Sequence, residues 1–225
     1  MNRLECIKSM CIKCGTAADI GTDHGYVAEM LLSDDTCQKV IATDLNHGPL
    51  KRATEYLTAK GLSHRCDFRL GSGLEVLGEH EAELLIIAGM GGDLISGIIE
   101  TSKITALNAR ELVLQPMSAV EVLRKYLYEN GFVIEDEKIV KEYHHYYFII
   151  KAIPGADEKQ DEIFYEFSRH LIEKKDPLMH EHLKKVLKTN ENIIASIEKN
   201  SNEEYNEKIK ALKDKNNKIR ELMSY

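Results

Sequence analysis

Two aspartates and two glycines alternate in the segment 19–26, Asp-Ile-Gly-Thr-Asp-His-Gly-Tyr, directly after a short apolar run. Glycines let the backbone approach a ligand closely, and the helix that follows such a turn presents free N–H groups. Carboxylates here would repel a pyrophosphate, whereas they would attract the α-ammonium of a cofactor such as S-adenosylmethionine. We therefore predict that Asp19, Gly21, Gly25 and Tyr26 bind this cofactor. The alternative is a simple turn in which Asp23 caps the helix.

A third aspartate, Asp44, ends the next apolar segment, about twenty residues after the glycine turn. A carboxylate in this position accepts hydrogen bonds from ribose hydroxyls, which suits both NAD and S-adenosylmethionine. The alternative is that Asp44 and Asn46 only cap the following helix. The other residues predicted to bind the adenosine are Leu45, Asn46, Gly71, Ser72 and Gly73, although 71–73 would equally suit a plain loop.

A glycine-rich segment, Gly-Met-Gly-Gly at 89–92, follows the apolar run Leu-Leu-Ile-Ile-Ala. Glycines at the end of a buried strand favour the close approach of a flat group, here the methyl acceptor. Close packing of a helix on the strand is the alternative. The predicted catalytic residues are Asp23, His24, Gly89, Met90 and Gly91, and the predicted substrate-binding residues in this part of the chain are Gly92, Gln115 and Pro116.

Alternating apolar segments and amphipathic stretches predict the elements that position these residues. Two segments at 132–140 and 146–152 follow one another with no helix between them, which predicts a hairpin at the sheet edge with one antiparallel strand. This pattern is closer to a class I methyltransferase sheet than to a dehydrogenase, which keeps a parallel sixth strand. Strands are predicted at 16–20, 39–43, 67–70, 84–88 and 111–114, and helices at 28–32, 51–60 with Pro49 at its first position, 92–100 and 119–130.

The segment after Pro154-Gly155 differs in character, since it has few strand formers and many Glu, Lys and Asn residues. From Ala156 onward 14 Lys and Arg residues face 15 Asp and Glu residues, so most of the net charge of −7 belongs to the first part. Narrow apolar stripes predict three helices, with a turn at 200–202 between the last two. The first is marked by Ile163, Phe164, Phe167 and Leu171 and ends near 176–177. We predict a Rossmann-like domain at 1–153 and a helical, coiled-coil-like domain at 156–225.

Several function classes are disfavoured by composition. Five cysteines, an odd number, argue against a disulfide framework, and the pair Cys11 and Cys14 lacks the second pair that a structural zinc site needs. The adjacent His144 and His145 would point to opposite faces of a strand, so no metal is predicted. We find no secretory signal and no apolar run long enough to cross a bilayer, so a cytoplasmic protein without membrane contact is predicted.

Three of these segments together resemble those of a known family. Residues 19–26, Ala-Gly-Met-Gly-Gly at 88–92 and Leu-Gln-Pro at 114–116 are similar to those of the TrmK family, the bacterial tRNA (adenine-22-N1)-methyltransferases. The resemblance covers the whole chain, including a coiled-coil C-terminal domain. Family members commonly read Leu-Gln-Pro-Asn, and here Met117 replaces the Asn. The resemblance implies methyl transfer from S-adenosylmethionine to N1 of an adenine in the D-arm region of tRNA.

That reaction sets further requirements. Adenine N1 lies on the Watson–Crick edge, so the base must be unpaired or flipped. Basic side chains must contact tRNA phosphates, and Lys184, Lys185 and Lys188 are candidates, although most such charges only face solvent. Three alternatives stay open: a methyltransferase of another RNA or a small molecule, a non-catalytic nucleotide-binding module that dimerises through its helices, and an NAD-dependent oxidoreductase. The sequence leaves open whether the protein is a monomer or a homodimer.

Overall fold

The computed structural model describes residues 1–158, 160–199 and 206–224. The chain divides into two compact units, Met1–Glu166 and Phe167–Tyr225. Among the described residues, no helix combines the length and the apolar character needed to cross a membrane.

A seven-stranded mixed sheet forms the centre of the first unit. The strand order is β3-β2-β1-β4-β5-β7-β6, in which β1 to β5 are parallel and β7 runs antiparallel to both of its neighbours. The predicted Rossmann-like sheet with a hairpin edge is confirmed, and β7, the antiparallel strand, lies between β5 and the edge strand β6. The strands are β1 Cys14–Ile20, β2 Cys37–Asp44, β3 Cys66–Leu70, β4 Leu84–Gly91, β5 Glu111–Ser118, β6 Phe132–Glu142 and β7 His145–Pro154.

Helices pack on both faces of this sheet, so its central strands are buried on both sides. Ala18 and Ile20 of β1 belong to one apolar cluster, whereas Ala17 belongs to another. Alternating side chains along a strand point to opposite faces, and this explains why the central strands are continuous apolar runs. The helices of this unit are α1 Arg3–Met10, α2 Tyr26–Ser33, α3 His47–Ala59, α4 Gly92–Thr101, α5 Lys103–Asn108, α6 Val120–Glu129 and α7 Ile163–Glu166, with a 3-10 turn at Ser63–Arg65.

The N-terminal helix α1 is absent from the sequence-based prediction. Asn2 caps it by accepting a hydrogen bond from the Glu5 N–H, and the Glu5 carboxylate accepts one from the Asn2 N–H. Cys6, Ile7 and Met10 are buried against the sheet. This reciprocal capping pattern was the local feature that would have revealed the helix.

Two other predicted boundaries are wrong. Helix α3 begins at His47, so Pro49 is its third residue and not its first. Strand β5 continues through Gln115 and Pro116 to Ser118, beyond the predicted end at 114. Pro116 has no N–H with which to pair. The strand accommodates it because β4 is irregular opposite it, between Ala88 and Gly91.

The end of the first unit is held by a buried arginine. The Arg124 guanidinium donates to the backbone oxygens of Tyr165 and Glu166, at 3.0 and 2.9 Å. It also forms an ion pair with Glu137 at 2.9 Å, in which both side chains are fully buried. These contacts explain why the first unit extends to Glu166, whereas the sequence placed the change of character at 153–156.

The second unit contains α8 Arg169–Glu173, α9 Pro177–Lys199 and α10 Asn206–Met223. The prediction of a single helix from Ile163 to near Asp176 is wrong: α7 ends at Glu166, and Ser168 starts α8 by accepting a hydrogen bond from the Leu171 N–H. Pro177 is the first residue of α9, a position that suits proline because the N–H group there has no partner within the helix. The predicted turn at 200–202 lies outside the described residues.

Helices α9 and α10 pair in opposite directions. The Asn190 side-chain amide donates to Asn216 at 2.8 Å in a buried contact, and Ile194 and Ile219 are buried nearby in sequence. Exposed ion pairs join Glu198 to Lys213 and Glu191 to Arg220. Because earlier residues of α9 pair with later residues of α10, the helices form an antiparallel hairpin. A coiled-coil geometry for this hairpin stays a prediction.

Candidate functional site

A cavity of about 650 Å³ opens at the carboxyl ends of the parallel strands of the first unit. It lies where the chain order reverses between β1 and β4, the position at which open α/β sheets bind ligands. The structure brings thirteen of the predicted site residues into its lining: Asp19, Gly21, Asp23, His24, Tyr26, Asp44, Leu45, Asn46, Gly71, Ser72, Gly73, Gly89 and Met90.

Asp19 is the most deeply buried charged group of this lining. Its side chain is 3% exposed, and it accepts a hydrogen bond from the Thr22 hydroxyl at 2.7 Å. Burial raises the pKa of Asp19 to about 6, because the surrounding protein solvates its carboxylate poorly. A carboxylate in this state gains much from a cationic partner, which is the property expected of an ammonium-binding group.

Asp44 is also buried, at the end of β2. One carboxylate oxygen accepts a hydrogen bond from the Asn46 N–H at 2.9 Å, whereas the other has no hydrogen bond within the described part of the chain. Asn46 is the N-cap of α3, but its side chain makes no capping hydrogen bond. The arrangement therefore leaves an acceptor oxygen of Asp44 for a ligand hydroxyl group.

Asp23 and His24 lie at the cavity mouth and are exposed. Asp23 forms an ion pair with Arg52 at 2.8 Å, and one of its oxygens lies 3.5 Å from His24 Nε2. Gly25, not Asp23, is the N-cap of α2. The His24 ring stacks on Tyr26 with 5.3 Å between centroids, so the mouth presents a flat aromatic surface beside an ion pair.

The tip of β4 bends at Gly89, whose φ of 79° suits glycine. Its N–H donates to Gln115 Oε1 at 3.2 Å, and the Gln115 side-chain amide donates to the Pro116 carbonyl oxygen at 2.8 Å. Gln115 is fully buried. The geometry therefore gives Gln115 a part in fixing the position of Gly89.

Five predicted residues of the first unit lie outside the cavity lining: Gly25, Gly91, Gly92, Gln115 and Pro116. For Gly92 the packing is informative, because a Cβ atom there would overlap the Ala119 carbonyl oxygen. Close packing thus accounts for this glycine. Lys184, Lys185 and Lys188 belong to the second unit, on α9, where all three are exposed.

The lining also contains residues that sequence reasoning missed, namely Arg3, Leu4, Ile20, Thr22, Val27, Thr43, Ala88, Leu94, Ile98 and Met117. Arg3 comes from helix α1 and reaches the ends of β4 and β5. Leu94 and Met117 are both about half exposed and give the opening an apolar wall. Arg3, Leu4, Leu94 and Ile98 belong to helices whose contact with the cavity no local pattern reveals, whereas Ile20, Thr22, Thr43 and Ala88 adjoin predicted residues.

No group of three or more His, Cys, Asp or Glu residues with a geometry suited to a metal occurs among the residues described. His145 begins β7 and His144 lies in the preceding turn. Cys14 and Cys37 are buried neighbours on β1 and β2, with 2.9 Å between their sulfurs. Burial raises the pKa of Cys11, so this thiol stays protonated at neutral pH.

Comparison with known proteins is consistent with this geometry. A family model described as "Methyltransferase domain" matches residues 1–150. A tRNA (adenine(22)-N(1))-methyltransferase of Bacillus subtilis (strain 168) is 34% identical over 138 residues, which are 61% of this chain and 58% of that protein. The chain thus spans somewhat under three fifths of the length of the curated relatives that it matches.

Solved structures extend the similarity to nearly the whole chain. The crystal structure of Streptococcus pneumoniae Sp1610, a putative tRNA (m1A22) methyltransferase, is 28% identical, with a TM-score of 0.91 and 99% of each chain covered. A second structure of Sp1610, in complex with S-adenosyl-L-methionine, has a TM-score of 0.87 at 28% identity and covers 98% of each chain.

Proposed function

This chain belongs to the methyltransferase-domain family, and from that membership we propose that it transfers a methyl group from S-adenosylmethionine to N1 of adenine 22 in tRNA. The observation that carries the proposal is the cavity at the β1–β4 crossover, which Asp19 and Asp44 line together with the glycine tip of β4. The curated relative from Bacillus subtilis, named for this reaction, supports the choice of substrate.

The cavity residues fit S-adenosylmethionine in charge and in hydrogen-bonding capacity. Asp19 would accept hydrogen bonds from the α-ammonium, and the open carboxylate oxygen of Asp44 would accept them from the ribose hydroxyls. We assign the adenine to the surface formed by residues 45–46 and 71–73, which lies at the ends of β2 and β3. When bound, the cofactor supplies an electrophilic methyl group.

The residues at the tip of β4 would position the acceptor base. Adenine N1 carries a free lone pair at neutral pH, so no residue has to remove a proton before methyl transfer, and catalysis rests mainly on positioning. Gly89 and Met90 line the slot, while Gln115 holds Gly89 from behind. The methylated base is cationic, and Asp23 and His24 at the mouth are the groups proposed to stabilise it.

The reaction places demands on the RNA as well as on the protein. N1 lies on the Watson–Crick edge, so the target base must be unpaired or flipped out of its stack to enter the cavity. The flat His24–Tyr26 pair at the mouth suits an exposed base. A tRNA substrate also implies that the protein works in the cytoplasm.

The test is methyl transfer from labelled S-adenosylmethionine to unmodified tRNA transcripts that carry either A or G at position 22. We expect label only in the A22 transcript, and nucleoside mass mapping should identify 1-methyladenosine. Equal labelling of both transcripts would refute the assigned position. If no RNA is labelled although the cofactor binds, the substrate is of another class.

Replacing Asp44 by Ala should weaken binding of S-adenosylhomocysteine by roughly 5- to 150-fold, about 1–3 kcal/mol, because the ribose hydroxyls lose their acceptor. Titration calorimetry measures this change. The control is Asp35→Ala, which removes an exposed, ion-paired aspartate that precedes β2 and does not line the cavity. Unchanged affinity in the Asp44 variant would remove this residue from the site.

The lysines of α9 should contribute to tRNA binding. We expect the full-length variant Lys184→Gln/Lys185→Gln/Lys188→Gln to bind tRNA more weakly, with unaltered affinity for S-adenosylhomocysteine. Each lost phosphate contact should reduce the slope of log affinity against log salt by about one. Filter binding over a salt series measures this, with Lys208→Gln/Lys210→Gln/Lys218→Gln on α10 as a control that changes the net charge by the same amount. An unchanged slope in the α9 variant would show that these lysines only face solvent.

A further inference from the structure

Arg3 differs from every other arginine of the protein. The guanidinium groups of the remaining seven each have a carboxylate within 4.0 Å, whereas the guanidinium of Arg3 has none among the residues that the structure describes. The pairs are Arg52 with Asp23, Arg65 with Asp35, Arg69 with Asp67 and Glu81, Arg110 with Glu83, Arg124 with Glu137, Arg169 with Glu173, and Arg220 with Glu191. The unbalanced guanidinium is also the one that lines the cavity.

The Arg3 side chain is held in place by neutral groups. Its Nη1 donates to Gln115 Oε1 at 2.8 Å and to the Met117 sulfur at 3.1 Å. The guanidinium lies over the Tyr147 ring, 5.5 Å from the centroid. All hydrogen bonds of the side chain within the described residues involve Nη1, so Nε and Nη2 keep the paired N–H groups that match a planar oxyanion.

The backbone that carries Arg3 is fixed as well. The Arg3 N–H donates to the Glu142 carboxylate at 2.7 Å, and the capping contacts of Asn2 and Glu5 stabilise the first turn of α1. Cys6, Ile7 and Met10 of α1 are buried in the apolar cluster of the sheet. A guanidinium that is oriented in this way loses little conformational freedom when it binds a ligand.

We propose that Arg3 binds the α-carboxylate of the cofactor's amino-acid end. This inference rests on the proposed function. The amino-acid end is a zwitterion, and the cavity offers a charge of each sign: the buried carboxylate of Asp19 for the ammonium, and the guanidinium of Arg3 for the carboxylate. A positive charge close to the target base would oppose formation of the cationic product, and the cofactor's carboxylate neutralises that charge before the base enters.

A second oxyanion, the phosphate of the flipped nucleotide, would present similar chemistry to Arg3, so the experiment separates the two sources. Titration calorimetry compares S-adenosylhomocysteine, which keeps the amino-acid end, with 5′-methylthioadenosine, which lacks it. The variants are Arg3→Gln and Arg3→Lys, with Arg110→Gln as the matched control, because Arg110 is an exposed arginine paired with Glu83.

We expect Arg3→Gln to lose at least about 10-fold in affinity for S-adenosylhomocysteine, an intermediate loss for Arg3→Lys, and no loss for Arg110→Gln. Affinity for 5′-methylthioadenosine should be unchanged in all of them, which shows that the adenosine pocket is intact. If both ligands lose affinity equally, Arg3 acts only on the shape of the site, and the inference is overturned.

Unchanged affinity of Arg3→Gln for S-adenosylhomocysteine would also overturn the inference. If this variant then binds tRNA more weakly and with less salt dependence, the oxyanion that Arg3 binds is an RNA phosphate. Failure of the proposed cofactor looks different, because the unmodified protein would then bind neither adenosine ligand, and failure of the proposed substrate would leave both affinities unchanged.

Discussion

The Asp19→Asn variant is expected to be more stable than the unmodified protein at pH 8 and to bind S-adenosylhomocysteine about 10- to 100-fold more weakly. The affinity loss corresponds to one charged hydrogen-bond partner of the α-ammonium. The stability gain has the opposite sign because the buried carboxylate of Asp19 is costly when no cation is bound. One substitution therefore separates the requirements of binding from those of folding.

The pH dependence of this stability difference has a definite direction. The pKa of Asp19 is raised from 3.8 to about 6 in the folded protein. The folded state thus binds the proton more tightly, and the contribution of Asp19 to stability is complete below pH 4 and is lost as the pH rises through about 6. We expect the advantage of the Asn variant to reach at most about 3 kcal/mol at pH 8 and to be about half as large at pH 5, because pH 5 lies between the two pKa values.

Urea denaturation at pH 5 and pH 8 measures this difference. Asp35→Asn is the control, because Asp35 is exposed and its loss should not affect stability in this way. Protonation of Asp19 also competes with ammonium binding, so the affinity of the unmodified protein for S-adenosylhomocysteine should fall below pH 6, whereas that of Asp19→Asn should not. An Asn variant that binds with full affinity at pH 8 would exclude an ammonium contact at Asp19.

The Arg124→Met variant should lose about 3–5 kcal/mol of unfolding free energy, because Glu137 is left buried without its partner. The substitution also removes the hydrogen bonds to the Tyr165 and Glu166 carbonyl oxygens and the contact with the Phe148 ring. The end of the first unit should then become accessible to proteolysis before the rest of the unit. Urea denaturation and limited proteolysis measure the two effects.

Two further variants show whether the unpaired charge is the cause. In Arg124→Met/Glu137→Leu no buried charge is left alone, so this double variant should be more stable than Arg124→Met. Arg110→Met removes an exposed ion pair with Glu83 and should cost less than about 1 kcal/mol. A double variant no more stable than Arg124→Met would show that the unpaired Glu137 is not the cause, and that the lost packing and carbonyl contacts of Arg124 account for the effect.

The sequence by itself determined the strands of the sheet and the edge at which the cavity opens. These features follow from local patterns: apolar runs of strand length, and polar or glycine residues directly after them. Asp19, Asp44 and Gly89 follow three such runs and line one cavity, because the carboxyl ends of parallel strands meet at one edge.

Only the tertiary structure decided the state of these groups and the partners that lie far away in the chain. The pKa of Asp19 depends on how completely the surrounding elements exclude water. Gly92 is explained by the backbone of Ala119, and Gln115 proves to be buried behind Gly89. Arg3 reaches Gln115 across more than a hundred residues. A periodic pattern records which face of an element is buried, but it does not record which distant side chain meets that face, and for this reason the cation of the cavity is visible only in three dimensions.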